Sequence, residues 1–197
     1  MQHRSEETRN RILESATHLF AKTGYDATGV AEICQAAGVS KGAFYHHFPT
    51  KQAVFTALLN SYLSGIDSGF SRMRQEVHNV PQVIIQMAEM AGSLFQSADI
   101  HLPIFLEFWT QANHDPHIWE AAIAPYRRYQ SYFAEMIQEG IKEGSIQPVD
   151  PQLAGRVLVS LAMGLLMQSL FDPQVSDWQS EARQSVELLM QGISRRN

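Results

Sequence analysis

Residues 40–51 combine small side chains with hydrogen-bond donors in one short stretch. Small residues such as Gly42 and Ala43 let the backbone of a helix approach a groove closely. The donors of the stretch are a phenol, two imidazoles and an ammonium group, on Tyr45, His46, His47 and Lys51. Groups of this kind bind the phosphate oxygens of nucleic acids. Ala43 can touch a thymine methyl but cannot form bidentate hydrogen bonds with a base, so we expect DNA shape to contribute to any specificity.

Two short helices joined by a glycine turn are expected to position these residues. The first has Val30, Ile33, Cys34 and Ala37 on one face, with Thr28 as its cap and Gly38 at its end. The second is capped by Ser40 and continues to about residue 47, with Phe44 and Phe48 facing inward. That leaves Gly42, Ala43, Tyr45 and His46 facing outward. The pattern is typical of a helix-turn-helix motif, here at about residues 29–48.

From Arg11 to Leu58 the chain resembles the TetR family of bacterial transcriptional regulators. The matching segments are Arg11 to Ala16, Leu19 to Ala21, Gly24-Tyr25, Ala31 to Ile33, Ala37 to Gly42, Tyr45 to Phe48 and Lys51. The resemblance implies a three-helix DNA-binding domain over residues 7–52 and a helical effector-binding and dimerisation domain over residues 53–197. In it Lys41 to Ala43 begin the recognition helix, Thr28 contacts the DNA backbone, and the donors named above bind phosphates. The implied DNA-contacting set is Thr28, Ser40, Lys41, Gly42, Ala43, Tyr45, His46, His47 and Lys51.

Helical periodicity continues through the chain, and no stretch alternates long enough to indicate a strand. We predict an all-α protein of about nine helices, the first over about residues 7–22 and a long one from Thr50 towards Val77. Prolines that suit a first helical turn, at Pro81, Pro103 and Pro116, mark further starts, and Pro125 is expected to kink or split the helix it lies in. Asp150 precedes Pro151 as a cap, and a capping box formed by Ser176 and Gln179 opens the last helix.

Composition excludes several classes of protein. The 197 residues carry a net charge of -5, which taken alone argues against a nucleic-acid partner. The charge is unevenly distributed, however, because residues 1–51 hold six basic and five acidic side chains, whereas the remainder holds nine basic and fifteen acidic ones. The single cysteine, Cys34, excludes an intramolecular disulfide and is expected to be buried. The first residues lack the apolar run of a secretory signal, so we expect a cytoplasmic protein. The apolar segment 153–171 could span a membrane, but a helix buried between the core and a partner subunit is favoured.

Apolar and aromatic residues dominate the sequence after residue 80. At helical spacing such residues are more often plain core than a ligand site, but the family resemblance implies a cavity for an apolar or flat small molecule. The expected lining residues are Phe108, Trp109, Tyr126, Tyr129, Met163 and Met167. A homodimer is expected through the last two helices, with contacts from Leu158, Leu161, Leu165, Val186, Leu189 and Ile193.

The sequence is compatible with three classes of function: a ligand-responsive DNA-binding regulator, a helical small-molecule-binding enzyme, and a structural dimerisation protein. The residues from Thr28 to Lys51 favour the regulator, most simply a repressor that an effector releases from a near-palindromic operator. The alternatives are a constitutive DNA-binding regulator and a helical small-molecule-binding protein with no effector-gated release. No common catalytic or nucleotide-binding fingerprint occurs, so we expect no enzyme activity and no cofactor. The cluster of His101, Glu107, His114 and His117 could suggest a metal, but we expect none, because the adjacent Asp115-Pro116 pair suits a helix cap.

Overall fold

The computed structural model describes residues 2–77, 79–96, 116–172 and 174–195, which form eight α-helices. These are α1 (Gln2–Thr23), α2 (Val30–Ala37), α3 (Lys41–His47), α4 (Lys51–Glu76), α5 (Val80–Gln96), α6 (Pro116–Glu143), α7 (Pro151–Phe171) and α8 (Trp178–Ile193). Within these ranges the only β-type pairing is an isolated bridge between Ile146 and Ser194. The all-α prediction is therefore confirmed. The helix expected to start at Pro103 lies outside the described residues.

The described chain divides into two compact units. The first contains α1, α2, α3 and α4 as far as Ser64, together with α6 as far as Ala122. The second contains α4 from Gly65, α5, α6 from Ile123, α7 and α8. The 26-residue helix α4 thus contributes to the core of each unit.

The core of the first unit follows the predicted helical stripes. Ile12, Ala16 and Phe20 of α1 are buried, and they belong to one cluster with Ile33 of α2 and Phe44 of α3. Cys34 is buried and carries a free thiol, as expected from its place on the apolar face of α2. This packing holds α2 and α3 in a fixed relation through apolar burial.

The second unit has a larger core in which two glycines permit close helix contact. A Cβ atom at Gly92 of α5 would lie 2.7 Å from the Cα of Gln179 in α8. A Cβ atom at Gly155 of α7 would lie 2.7 Å from the carbonyl oxygen of Gln130 in α6. Real Cβ atoms do not approach other heavy atoms so closely, so only glycine allows these two helix crossings.

Several predicted helix ends are confirmed. Ser40 caps α3, and Asp150 caps α7 with Pro151 as its first residue. Helix α4 begins at Lys51, directly after Thr50, whose hydroxyl accepts a hydrogen bond from the Ala53 N–H at 3.0 Å. Pro81 and Pro116 fall in the first turns of α5 and α6.

Other predicted ends are wrong. The cap of α2 is Gly29, not Thr28, because the Glu32 carboxylate reaches back to accept from the Gly29 N–H at 2.7 Å. The cap of α8 is Asp177, not Ser176, since the Asp177 carboxylate accepts from the first free N–H groups of that helix. Helix α1 begins at Gln2 rather than near residue 7.

Pro125 lies inside α6, which continues from Pro116 to Glu143 without being split. Among the described helices, α7 is long and apolar enough to cross a membrane by length and composition, and 28% of its most apolar window is buried within the chain. A single helix of this kind is weak evidence for a membrane span, because apolar helices of soluble proteins pass the same test.

Candidate nucleic-acid interface

The turn between α2 and α3 is built on Gly38. Its φ of 63° and ψ of 40° place it in the left-handed region, which a glycine enters without steric cost. The Val39 N–H donates to the Cys34 carbonyl at 2.9 Å, and the Gly38 N–H donates to the Gln35 carbonyl at 3.2 Å. This pair of hydrogen bonds is a Schellman motif, which ends α2 and sets the direction in which the chain leaves it.

Helix α3 restarts immediately after this turn. The Ser40 hydroxyl accepts from the Ala43 N–H at 3.1 Å, so the helix has a side-chain cap at its first turn. From α1, the Arg11 guanidinium donates to the Gly38 carbonyl at 3.1 Å. Sequence reasoning missed this contact because 27 positions separate the two residues. It ties the turn to the first helix.

The two faces of α3 differ as predicted. Phe44 and Phe48 are buried with ring centroids 6.2 Å apart, while Lys41, Gly42 and His46 are exposed. Ala43 is half-buried. Tyr45 is 54% exposed, and its ring packs edge-on against Phe44 at 5.4 Å. The exposed face therefore presents small residues at its start and hydrogen-bond donors at its end.

Lys51 lies at the start of α4 with its ammonium against the loop between α1 and α2. Its Nζ donates to the Tyr25 carbonyl at 2.6 Å and to the Thr28 carbonyl at 2.9 Å, with the Asp26 carbonyl at 3.5 Å. It also lies 4.1 Å from the centroid of the Tyr25 ring. The side chain thus has an internal role that the sequence did not indicate, and its predicted phosphate contact stays a prediction.

Thr28 requires a correction. The residue is only 1% exposed, and its hydroxyl donates to the Gly24 carbonyl at 2.7 Å and pairs with the Thr23 hydroxyl at 2.9 Å. A hydroxyl buried in this way is not presented to a DNA backbone. We therefore assign the Thr28 side chain to the structure of the α1–α2 loop.

His47 lies at the end of α3 beside other basic groups. Its ring is 5.1 Å from the ring of His46, and Arg9 of α1 lies over the neighbouring Phe48 ring at 5.3 Å. Partial burial, and then the positive charges of His46 and Arg9, lower the pKa of His47 below its usual value. The imidazole is consequently mostly neutral near pH 7 in the free protein.

A surface groove of about 760 Å³ begins at His47 and follows α4. Besides Phe48, Ala53 and Ala57, its lining is polar and, in this described set, contains no acidic side chain. The polar lining residues are Arg9, His47, Thr50, Gln52, Thr56, Asn60 and Ser61. Of these, sequence reasoning named only His47 as a candidate binding residue, since the rest come together through the packing of α1 against α3 and the course of α4.

Four of the six expected effector residues lie among the described residues. Phe108 and Trp109 lie outside the described residues, as do His101, Glu107 and His114 of the histidine cluster and the side chain of His117. Tyr126, Tyr129, Met163 and Met167 are half-buried. No group of three or more potential metal ligands occurs among the described side chains.

Tyr129 belongs to an aromatic group with Phe70, and its hydroxyl donates to the Asp67 carboxylate at 2.9 Å. Asp67 also pairs with Arg128 at 2.9 Å. Burial, and then the hydrogen bond to Asp67, raise the pKa of Tyr129, so the phenol stays protonated and continues to donate.

The expected dimer residues are used largely within the chain, and their place in a dimer stays a prediction. Leu158, Leu165 and Val186 are buried within the chain and leave little surface for a partner. Half-buried neighbours, Leu161, Leu189 and Ile193, pack against the same core. The apolar side chains that α7 and α8 do expose are different, namely Leu153, Val157, Phe171 and Leu188.

Comparisons with known proteins agree with this geometry. Residues 12–58 match the family described as "Bacterial regulatory proteins, tetR family", and residues 86–194, more than half of the chain, match "BetI-type transcriptional repressor, C-terminal". The HTH-type transcriptional regulator UidR of Escherichia coli (strain K12) is 24% identical over 167 residues, which cover 84% of this chain and 83% of UidR.

Solved structures share the fold. A putative transcriptional regulator from Saccharomonospora viridis, in complex with choline, has a TM-score of 0.79 at 22% identity and covers 97% of this chain and 100% of its own. The fatty acid degradation regulator FadR of Bacillus halodurans has a TM-score of 0.82 at 19% identity and covers 96% of this chain and 97% of its own. The chain is therefore a DNA-binding, helix-turn-helix transcriptional regulator and not an enzyme, and it belongs to the TetR family.

Proposed function

We propose that the protein is a homodimeric repressor that binds a near-palindromic operator and is released by a small apolar or aromatic effector. One observation carries the DNA-binding part. Helix α3 is held by a left-handed glycine turn on one side and buried phenylalanines on the other, while the face carrying Gly42, Tyr45 and His46 stays open to solvent. A helix presented in this way suits the major groove of DNA.

The proposed roles of the residues on α3 and at the start of α4 divide by chemistry. Lys41, Gly42 and Ala43 enter the groove at the helix start, where Ser40 fixes the backbone. Tyr45, His46, His47 and Lys51 bind phosphates, which position the protein without reading sequence. For Lys51 this requires the ammonium to exchange a loop carbonyl for a phosphate oxygen.

Selection of bound sequences from a random duplex library tests this function. We expect enrichment of two related half-sites whose centres are about 34–36 Å apart, one helical turn of DNA, because a two-fold dimer places its recognition helices in successive major grooves. Mobility shifts on fragments near the encoding gene then check the selected site. Enrichment of no sequence would contradict operator recognition.

The dimer is assigned to the exposed apolar side chains of α7 and α8. Leu188 is 72% exposed and Phe171 77% exposed, although both are large and apolar, and Leu153 and Val157 add to this surface. Burying the same patch on two subunits removes this area from water twice. Sedimentation velocity should show monomers for Leu188→Glu combined with Leu153→Glu. The matched control, Gln82→Glu on exposed α5 surface, should stay dimeric.

The effector is assigned to the second unit, with Tyr126, Tyr129, Met163 and Met167 as the proposed lining among the described residues. Choline belongs in the first screen because the structural neighbour from Saccharomonospora viridis binds it and because quaternary ammonium groups bind aromatic faces. An effector can release the operator only if it binds the two subunit arrangements with different affinity. A coupling of about 1–3 kcal/mol gives roughly 5–150-fold weaker DNA binding.

Calorimetry tests this coupling, because operator DNA must weaken effector binding by the same factor by which the effector weakens DNA binding. Equal effector affinities with and without operator would instead support a constitutive regulator. The alternative is then a protein whose second unit serves dimerisation alone.

A further inference from the structure

The groove along α4 has the chemistry of an anion site. Arg9 supplies a permanent cation and His47 a titratable one, while hydroxyls from Thr50 and Thr56 and the amide of Gln52 offer neutral hydrogen bonds. Carboxylates are missing from its described lining, although the chain as a whole is acidic. A groove of this composition attracts an anion without having to displace an internal ion pair.

Arg9 is held in place by packing and not by an acidic partner in the groove. Its guanidinium lies over the Phe48 ring, 5.3 Å from the centroid, and Phe48 is itself buried in the core of the first unit. A cation over an aromatic face keeps its N–H edges available for in-plane hydrogen bonds. The side chain is exposed, so these edges can reach a phosphate.

The groove is continuous with the proposed DNA-binding face. His47 lies at the end of α3, next to His46 and two residues after Tyr45, and it also forms one end of the groove. We therefore expect a DNA backbone that contacts the donors of α3 to reach Arg9 as well. This continuity favours a phosphodiester of the same duplex over a free anion as the occupant.

We propose that this groove is a second phosphate-binding surface for duplex DNA, in which Arg9, beside the His47 already assigned to phosphate binding, binds a backbone phosphate beyond those reached by the exposed face of α3. The inference rests on the proposed DNA-binding function. It adds a contact from α1, which lies outside the helix-turn-helix motif, and it extends the DNA footprint along the chain.

Proton uptake accompanies binding at this surface. In the free protein, His47 faces the positive charges of Arg9 from α1 and His46 from α3, and the groove lining from α4 contributes hydroxyls and amides but no titratable group. A negatively charged phosphate oxygen beside His47 stabilises the imidazolium and so raises the pKa of His47 in the bound state. DNA affinity should therefore rise as the pH falls from about 8 to 6, because the bound state holds a proton that the free state lacks.

Salt titrations of DNA affinity test the assignment of Arg9. The probe is a labelled duplex of mixed sequence, about three helical turns long, so that no operator is needed. For Arg9→Gln we expect the slope of log Kobs against log salt to become shallower by about 0.9, as for one lost phosphate contact, and affinity to fall at least about threefold. Arg9→Lys should keep the slope because it keeps the charge. Lys22→Gln, an exposed cation at the other end of α1, should match the wild type.

A pH series tests the assignment of His47. For wild-type protein and for His18→Gln, a control on exposed α1 surface, DNA affinity should rise as the pH falls from about 8 to 6. His47→Gln should make this rise smaller than in the wild type and the control, while the other proposed phosphate ligands stay in place. Circular dichroism and thermal unfolding verify that each variant is folded, so that a loss of binding reports on contacts.

Titration with inorganic phosphate distinguishes a site for the phosphodiesters of duplex DNA from a site for a free anion. NMR shifts of the His47 ring should respond to the duplex at micromolar concentrations and to inorganic phosphate only at much higher concentrations. The inference is overturned if Arg9→Gln keeps the wild-type slope and affinity, or if the His47 ring responds to inorganic phosphate but not to DNA. If the wild-type protein binds no duplex at all, the proposed function itself fails, which is a separate result.

Discussion

Replacing Lys51 by methionine should destabilise the first unit, because it removes the charged donor that the ammonium supplies to carbonyls of the α1–α2 loop. Two hydrogen bonds, at 2.6 and 2.9 Å, join Nζ to the carbonyls of Tyr25 and Thr28. A hydrogen bond to a charged group contributes about 1.5–3 kcal/mol. The contact with the Tyr25 ring at 4.1 Å adds about 0.5–1 kcal/mol. Because Lys51 is only half-buried, we discount the sum to about 3 kcal/mol.

Urea unfolding and calorimetry measure this loss, with Lys22→Met as a matched exposed control on α1. For a chain of this size, about 3 kcal/mol corresponds to a fall in Tm of roughly 6–12 °C. Lys51 would instead act mainly as a phosphate ligand if Lys51→Met unfolded within about 1 °C of the wild type while its salt slope for DNA became shallower by about 0.9. That combination would refute the internal role argued from the geometry.

Four further outcomes follow from the first unit. Gly38→Ala should lower the free energy of unfolding by about 1–2 kcal/mol, because a φ of 63° is strained for alanine; a clash adds nothing, since a Cβ there meets no atom within 4 Å. The control Gly42→Ala, inside a helix, should be neutral or stabilising. Glu32→Ala should lower stability by about 0.5–2 kcal/mol through loss of the bond to the Gly29 N–H, measured in the same way. Tyr45→Phe should weaken binding to all duplexes equally in fluorescence anisotropy with unchanged Tm, and a change in sequence preference would contradict a phosphate role. Because the pKa of His47 is lowered in the folded state, stability should decline as the pH falls below about 6.5 and through the folded pKa, and His47→Gln should reduce this decline.

Local rules predicted the helix-turn-helix segment well. The Gly38 turn, the Ser40 cap and the inward Phe44 and Phe48 depend on residues no more than five positions apart, and short-range chemistry decides them. The α2 cap was missed for a related reason. Two residues could cap α2: Thr28 through its hydroxyl, or Gly29 with the Glu32 carboxylate accepting from its N–H. Only the structure shows that the Thr28 hydroxyl instead donates to the Gly24 carbonyl within the loop.

Contacts between distant segments could not be predicted from one sequence. Lys51 and Tyr25, or Arg11 and Gly38, are paired by how α1 packs on its neighbours. Helix α7 shows a second limit. It is apolar around most of its circumference, so periodicity could not tell that Leu158 faces the core while Leu153 faces outward.

The close approaches at Gly92 and Gly155 restrict how the second unit can respond to a ligand. At each crossing the two helix backbones are in direct contact. If one helix slid along the other, the glycine would be replaced at the crossing by a residue with a side chain, for which there is no room. Helix α5 must then move with α8, and α6 with α7, as two rigid pairs. For the proposed effector release, we therefore expect a rotation of one pair against the other. Alanine at Gly155 would press on the Gln130 carbonyl and change the rest position of its pair, so we expect one methyl group to bias the proposed release equilibrium with no effector present.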